Sequence, residues 1–201
     1  NLLEFLTKKG KYVPLDLRKA VTVVSTKPMF YGVSPVERLI FDDWSPKTVG
    51  KVPYVLIDPK GDRVPNTIML HGPQGEIPPT MPKEVTMPVN APAKAIHILG
   101  GIRGWSFPAQ REQSTSIRVR LHYADGTTED HDLKNGVHFA DYIRRIDVPG
   151  SEFAFDLDGR QIRTLAIEPK RSDEVITQID LVKGNNDRTA PIVMAITVET
   201  P

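Results

Sequence analysis

The chain has 201 residues, no cysteine, and 26 basic residues that nearly cancel its 25 acidic ones. A net charge of +1 argues against a general nucleic-acid binder, which would carry a basic stripe. The lack of cysteine excludes disulfides, thiol catalysis, zinc–thiolate sites and covalent haem attachment within the chain. No apolar run approaches the length of a membrane span, so no transmembrane helix is predicted.

The first eleven residues, 1–11, predict a short helix. Their apolar side chains share one helical face, and Gly10 is a suitable stop signal. These apolar residues are Leu2, Leu3, Phe5 and Leu6. Because the chain begins at Asn1 and not at methionine, we expect a processed product or a piece of a longer protein. The same segment is therefore equally well interpreted as the tail of a preceding domain.

The rest of the chain, residues 12–201, predicts a single all-β domain. Short segments rich in β-branched residues are bounded by Pro, Gly, Asn or Asp, and the 18 prolines are spread along the chain. No long amphipathic window interrupts them, and their spacing is typical of an antiparallel β-sandwich or jelly roll. The predicted strands cover residues 21–25, 38–41, 52–57, 67–70, 93–99, 116–123, 127–133, 161–167, 175–182 and 191–198.

Two of these segments predict central strands. Residues 95–99 are apolar on both faces of a strand apart from His97, and residues 191–199 are similar. Strands of this kind are covered on both sides. We therefore expect His97 to be a buried, hydrogen-bonded histidine and not a metal ligand.

The stretch 122–133, HYADGTTEDHDL, is the segment richest in acids and histidines, and it predicts a β-hairpin. The preceding strand alternates apolar and polar residues, so its polar side chains share one face. A three-residue loop with Gly126 in the left-handed conformation pairs Arg118 with Asp132 and Arg120 with Asp130. Each such cross-strand ion pair contributes roughly 0.2–1 kcal/mol.

This register argues against a catalytic or metal site in the hairpin. Asp130 and Asp132 point to one face, and Glu129 and His131 point to the other. The four side chains therefore cannot close on one metal ion. The two aspartates are matched to arginines, which also excludes a paired-carboxylate hydrolase site.

A glycine-rich segment after a predicted strand, GGIRGW at 100–105, is the first candidate binding loop. It lacks the spacing of a phosphate-binding loop, and no clear helix follows it. Loops at the end of a sandwich are where such folds usually bind, and tryptophan faces stack on sugar rings. Arg103 and Trp105 are thus candidate ligand contacts, with packing of Trp105 inside the fold as the alternative.

A second candidate loop is KNGVHFADY, residues 134–142. It places His138, Asp141 and Tyr142 after an Asn-Gly turn. No serine or cysteine is clearly placed with them, so a nucleophilic site is not predicted. A ligand contact or a hydrogen-bond network within the loop is consistent with these residues.

No cofactor is predicted, with a structural calcium ion as the open alternative. The acidic turn DPKGD at 58–62 lacks the acidic spacing and closing glutamate of an EF-hand. Jelly rolls can hold calcium through backbone carbonyl groups, and no sequence pattern locates such sites.

The order of several segments resembles the galactose-binding-like jelly-roll modules appended to bacterial glycoside hydrolases and related secreted proteins. Tyr142 stands where those modules usually have tryptophan. The GVHFADY version looks most like the C-terminal module of large planctomycete-type proteins that also carry haem-binding or dehydrogenase domains. The segments are YVPLDL (12–17), FDDW (41–44), VGKVPYVLIDP (49–59), NTIMLHG (66–72), AKAIHILGG (93–101), VRLHYADGTTEDHDLKNGVHFADY (119–142), IDLVKGN (179–185) and APIVMAITVE (190–199).

This resemblance implies a noncatalytic, carbohydrate-binding accessory module of a larger bacterial protein, secreted or periplasmic. The alternative is a structural module that mediates domain or subunit contacts in a haem-containing redox protein. A stand-alone hydrolase is the weakest interpretation, because no catalytic set is recognisable. Expected partners are a carbohydrate and the other domains or subunits of the parent protein.

Overall fold

The computed structural model describes residues 11–201. The helix predicted over 1–11 falls, all but its last residue, outside this range. Two single 3-10 turns, Pro35–Glu37 and Pro78–Thr80, are the helical segments of the described part, and no helix there has the length and hydrophobicity of a membrane span. The strands are β1 (Tyr12–Pro14), β2 (Lys47–Val49), β3 (Val52–Tyr54), β4 (Ile68–Met69), β5 (Glu84–Pro92), β6 (Ala95–Arg103), β7 (Thr115–Tyr123), β8 (Thr128–Lys134), β9 (Glu152–Leu157), β10 (Arg160–Ile167), β11 (Val175–Lys183) and β12 (Ala190–Glu199).

The strands form an all-β sandwich, as predicted, and every ladder between them is antiparallel. The larger sheet has the order β1-β12-β6-β10-β9, with β4 also paired to β12. The smaller sheet has the order β5-β11-β7-β8. Strands β2 and β3 form a separate two-stranded hairpin. The predicted central position of the 95–99 and 191–199 segments is confirmed, since β6 and β12 are neighbours inside the larger sheet.

Two hydrophobic cores lie on opposite faces of the larger sheet. The first lies between the two sheets, where Ile96 and Ile98 of β6 meet Val119 and Leu121 of β7. The second covers the outer face and includes Leu99 and Tyr54. Fully burying one such side chain contributes about 1.5–3 kcal/mol. The larger sheet is therefore covered on both faces, which explains its continuous apolar strands.

A bulge between β6 and β12 explains one glycine of the candidate loop. The register shifts between Val193, which pairs with Gly100, and Ala195, which pairs with Leu99. A Cβ atom on Gly100 would lie 2.3 Å from the carbonyl oxygen of Ile192. Glycine is needed here because the backbones approach too closely for any side chain.

The hairpin of β7 and β8 has the predicted register. Arg118 pairs with Asp132 and Arg120 with Asp130, and Gly126 has a φ of 87° in the three-residue loop. The guanidinium of Arg120 donates to both carboxylate oxygens of Asp130, at 2.9 and 3.1 Å. The acids on this face are therefore paired cross-strand, as alternation and charge predicted.

Several strand predictions were wrong, and the errors have two causes. Residues 21–25 and 38–41 are extended but pair through isolated contacts, a bridge from Val23 to Thr67 and a hydrogen bond from the Leu39 amide to the Ser25 carbonyl. Strands β1, β2, β5 and β9 were missed: β1, β5 and β9 lie at the edges of the two main sheets, and β2 belongs to the separate hairpin. Edge strands tolerate proline, and Pro88 and Pro92 lie within β5 although proline in a sequence argues against a strand.

His97 is only partly as predicted. It is half-buried on β6, and its Nε2 atom is buried without a hydrogen-bond partner. The nearest carboxylate oxygen, Oε1 of Glu199, lies 3.8 Å away. Burial lowers the pKa of His97, and the carboxylate of Glu199 opposes that effect.

Candidate functional site

Trp105 is the most exposed aromatic side chain at the end of β6. It follows the last residue of the strand by two positions, and 53% of its surface is exposed. Its backbone has a left-handed φ of 57°, next to Gly104 at 99°. This turn directs the chain out of the sheet. The prediction of a loop over 100–105 was wrong for residues 100–103, which belong to β6, so only Gly104 and Trp105 lie in the loop that follows the strand.

The loop of residues 141–146 is attached directly to the end of β6. Asp141 bridges Ile102, and the Tyr142 amide donates to the Ile102 carbonyl at 2.9 Å. The Gln161 side chain of β10 donates to the Asp141 carbonyl at 3.3 Å. Asp141 and Tyr142, the last two residues of the predicted loop 134–142, therefore lie against the end of β6.

Arg103 and Asp141 form a buried pair beneath these loops. The Arg103 Nη1 atom lies 3.6 Å from Oδ2 of Asp141, and both residues are buried. The Asp141 carboxylate also accepts from the hydroxyl and amide of Ser106, at 3.1 and 3.3 Å. Burial raises the pKa of Asp141, although the charge of Arg103 opposes that shift. The pair therefore ties the Trp105 loop to the 141–146 loop.

A third loop, residues 30–37, completes the cluster and was not predicted. The guanidinium of Arg103 lies 5.1 Å from the centre of the Phe30 ring. The buried Glu37 carboxylate accepts from the amides of Tyr31 and Gly32, at 2.7 and 3.0 Å. The available sequence signal is the pair of aromatic residues in MFYGVSP, 29–35, next to a glycine and a proline that mark a turn.

Tyr142 fastens this third loop to the second. Its hydroxyl donates to the Glu37 carbonyl at 2.7 Å, and the side chain is completely buried. Burial raises the pKa of Tyr142 far above its ordinary value. Tyr142 is thus a neutral hydrogen-bond donor inside the fold.

His138 lies apart from the other four predicted residues. Its Nδ1 atom accepts from the Lys134 amide at 2.9 Å, which closes the turn after β8. Its ring packs against Gly150, where an added Cβ would lie 2.9 Å from Cδ2. Burial lowers the pKa of His138, and the charge of Lys134 adds to that effect. Within residues 11–201, no hydrogen bond, ion pair or ring contact joins His138 to Trp105.

The five predicted site residues thus divide by exposure. Arg103, Asp141 and Tyr142 come together but are buried at 8%, 4% and 0% exposure, so they support the loops from beneath. Only Trp105 is widely exposed. We call the exposed side chains of the three loops the loop-end surface; they are Tyr31, Val33, Val36, Trp105 and Ile143.

The acid and histidine side chains on the other face of the hairpin form their own network. The Tyr123 hydroxyl donates to Glu129 at 2.6 Å, and Glu129 is also bound to His131. Among the described residues, no group of three or more histidine or acidic side chains is arranged to hold a metal ion.

Comparison with known proteins finds no protein-family model that matches the chain and no curated protein that matches its sequence significantly.

Proposed function

We propose that the chain is a noncatalytic carbohydrate-binding module of the galactose-binding-like jelly-roll class. In this proposal it is an accessory part of a larger bacterial protein, secreted or periplasmic, and it needs no cofactor. The ligand lies on the loop-end surface with a sugar ring against Trp105. Arg103, Asp141 and Tyr142 act beneath that surface as positioning residues.

The observation that carries the proposal is an exposed tryptophan on a loop held by buried polar contacts. Trp105 is 53% exposed, while its neighbours Arg103 and Ser106 are buried and joined to Asp141. Indole rings stack on the apolar faces of sugars. A loop that is already ordered loses less conformational entropy on binding, which favours affinity.

The test is a glycan array on the purified protein, with and without calcium, followed by titration of any ligand found. We expect millimolar-to-micromolar binding. The Trp105→Ala variant should lose at least tenfold in affinity. Its melting temperature should be unchanged, because more than half of the Trp105 side chain is exposed to solvent. Trp105→Phe is the matched control, since it retains an aromatic face and most of the affinity. Absence of binding to every glycan in both conditions would refute the proposal.

A structural or assembly module is the second candidate, favoured by the aliphatic part of the same surface. Val33 is 80% exposed, and Val36 and Ile143 are also exposed on these loops. Exposed aliphatic groups gain free energy from burial against another protein and make no stacking contact with sugars. The partner would be another domain or subunit of a haem-containing redox protein. Native mass spectrometry with the parent protein tests it, and loss of the complex in Val33→Asp is the expected result.

A further inference from the structure

A cleft lined by basic side chains lies where β11 leaves the smaller sheet. It has a volume of about 410 Å³. Its basic residues come from three separate parts of the chain and define what we call the basic cleft: His71, Lys83, Lys183 and Arg188. None of them belongs to the loop-end surface.

Lys183 is a buried ammonium group at the base of this cleft. Its Nζ atom donates to the Asp187 carbonyl at 2.8 Å and lies 3.3 Å from the Asp187 carboxylate. Burial lowers the pKa of Lys183, the carboxylate of Asp187 opposes that effect, and the charge of Lys83 adds to it. Lys183 and Lys83 therefore act on each other as like charges across the cleft.

The carboxylate of Asp187 is already committed to the interior. Its Oδ2 atom accepts from the hydroxyls of Ser114 and Ser116, at 2.7 and 2.9 Å. Its Oδ1 atom accepts from the amide and hydroxyl of Thr189, at 2.9 and 2.5 Å. These four neutral donors fix the carboxylate in place and stabilise its single negative charge, which lies 3.3 Å from Lys183.

Lys83 and Arg188 are exposed, and no carboxylate lies within salt-bridge distance of either side chain in the described part of the chain. The cleft thus carries three cationic side chains against one hydrogen-bonded carboxylate. Clustered charge of one sign in a concave site attracts ligands of the opposite sign. Lysine and arginine donate their strongest hydrogen bonds to carboxylate, sulfate and phosphate oxygens.

The basic cleft adjoins the Trp105 loop. The Gln74 side-chain amide donates to the carbonyls of Gly104 and Arg188, both at 3.2 Å. A Cβ atom on Gly104 would lie 3.3 Å from the same Arg188 carbonyl. A single polar side chain therefore joins the backbone beside the exposed tryptophan to the backbone of a cleft cation.

We propose that the basic cleft binds the anionic substituent, a sulfate ester or a carboxylate, of a sugar whose ring lies on Trp105. The inference rests on the proposed carbohydrate-binding function and names its ligand class: acidic glycans. Charge selects the ligand in the cleft, and the indole supplies the contact shared by neutral and acidic sugars.

The experiment is calorimetric titration with four probes: a sulfated oligosaccharide, a uronic-acid oligosaccharide, their neutral counterpart and inorganic sulfate. We expect at least one acidic oligosaccharide to bind roughly tenfold more tightly than the neutral one, the gain of a charge-assisted hydrogen bond. That advantage should shrink as salt rises from about 50 to 500 mM, because mobile ions screen the cleft.

Two double variants carry the test. Lys83→Ala with Arg188→Ala should remove the preference for acidic sugars, with an unchanged melting temperature and unchanged neutral binding. Lys51→Ala with Lys94→Ala removes the same number of exposed positive charges elsewhere and should leave the preference intact. Trp105→Ala should weaken binding of both sugar classes.

The outcomes separate this inference from the proposed function. Trp105-dependent binding with equal affinity for neutral and acidic sugars overturns the acidic-glycan inference and leaves carbohydrate binding standing. Equal loss of preference in both double variants also overturns it, since net charge alone then explains the effect. If inorganic sulfate binds and none of the three oligosaccharides does, both the acidic-glycan inference and the proposed carbohydrate-binding function are overturned.

Discussion

Two arginine–aspartate contacts, one in the hairpin and one beneath the loops, have the same side-chain types but differ in solvent exposure and in hydrogen bonding. Arg120 and Asp130 lie on the outer face of the smaller sheet, about one third exposed, and are joined by two hydrogen bonds at 2.9 and 3.1 Å. Arg103 and Asp141 are buried, and their nearest charged atoms are 3.6 Å apart.

The difference concerns solvent. Water stabilises the hairpin charges whether or not they pair, so their contact adds little free energy. The buried charges have lost that water, and each depends on the other and on fixed dipoles. A charge-rich segment such as the hairpin is thus weak evidence of a functional site. The single buried pair of Arg103 and Asp141, in contrast, connects the loops beside Trp105.

The largest expected effect is that of Arg103→Ala. Removing the guanidinium leaves Asp141 buried without a countercharge and takes away the cation over the Phe30 ring. We expect the free energy of unfolding to fall by about 3 kcal/mol, measured by urea denaturation. The loops lose their attachment at the same time, so sugar affinity should fall with stability.

Arg103→Lys is the matched control for that prediction. It retains a positive charge near Asp141 and should recover part of the stability. If Arg103→Ala lowers the free energy of unfolding by no more than Arg120→Ala does, the contrast between the buried and the exposed pair is wrong.

An intermediate effect is expected on the acid dependence of stability. Burial raises the pKa of Asp141 in the folded protein above 3.8, its ordinary value. The protonated side chain therefore stabilises the fold below pH 3.8, and this stabilisation is lost as pH rises through the pKa of the folded state. Hydrogen bonding to Arg118 lowers the pKa of Asp132 below 3.8. The contribution of Asp132 is present above pH 3.8 and is lost as pH falls through the folded value.

Urea denaturation across the acid range measures both slopes. On acidification, the stability advantage of the parent protein over Asp132→Asn should shrink, and its advantage over Asp141→Asn should grow. Changes of the same sign in the two variants would show that both aspartates have the same kind of environment.

The smallest effect is expected in the hairpin. A double-mutant cycle with Arg120→Ala and Asp130→Ala should give a coupling energy of about 0.5 kcal/mol, and less at high salt. Urea denaturation of the four proteins measures it. A coupling energy above about 2 kcal/mol would show that Arg120 and Asp130 interact as strongly as a buried ion pair, and the difference from Arg103 and Asp141 would disappear.

Local pattern was enough to predict the hairpin and the central strands. Alternation, a turn glycine and opposite charges all favour one register of β7 and β8, and that register is observed. Edge strand β5 alternates polar and apolar residues, but it contains Pro88 and Pro92, and proline argues against a strand unless the strand lies at a sheet edge. Residues 21–25 looked like a strand because β-branched residues also suit extended segments that pair only once, as Val23 does.

For the candidate site, sequence predicted two loops but not their roles. Arg103, Asp141 and Tyr142 were predicted to contact a ligand; the structure brings them together but buries all three. Burial of a polar residue depends on which loops cover it, and residues 30–37 are about 70 positions from Trp105 in sequence. No periodicity reports such a contact, because it involves irregular backbone and single hydrogen bonds.

The sequence by itself determined the all-β class, the hairpin register and the two doubly covered strands, because each follows from alternation over a few neighbouring residues. Only the tertiary structure decided which polar residues are inside, and it placed Gly104 beside Arg188 through one glutamine. Those outcomes depend on contacts between segments that are distant in sequence. Burial by such segments changes the free energy of a charged group far more than the adjacent residues in the sequence do.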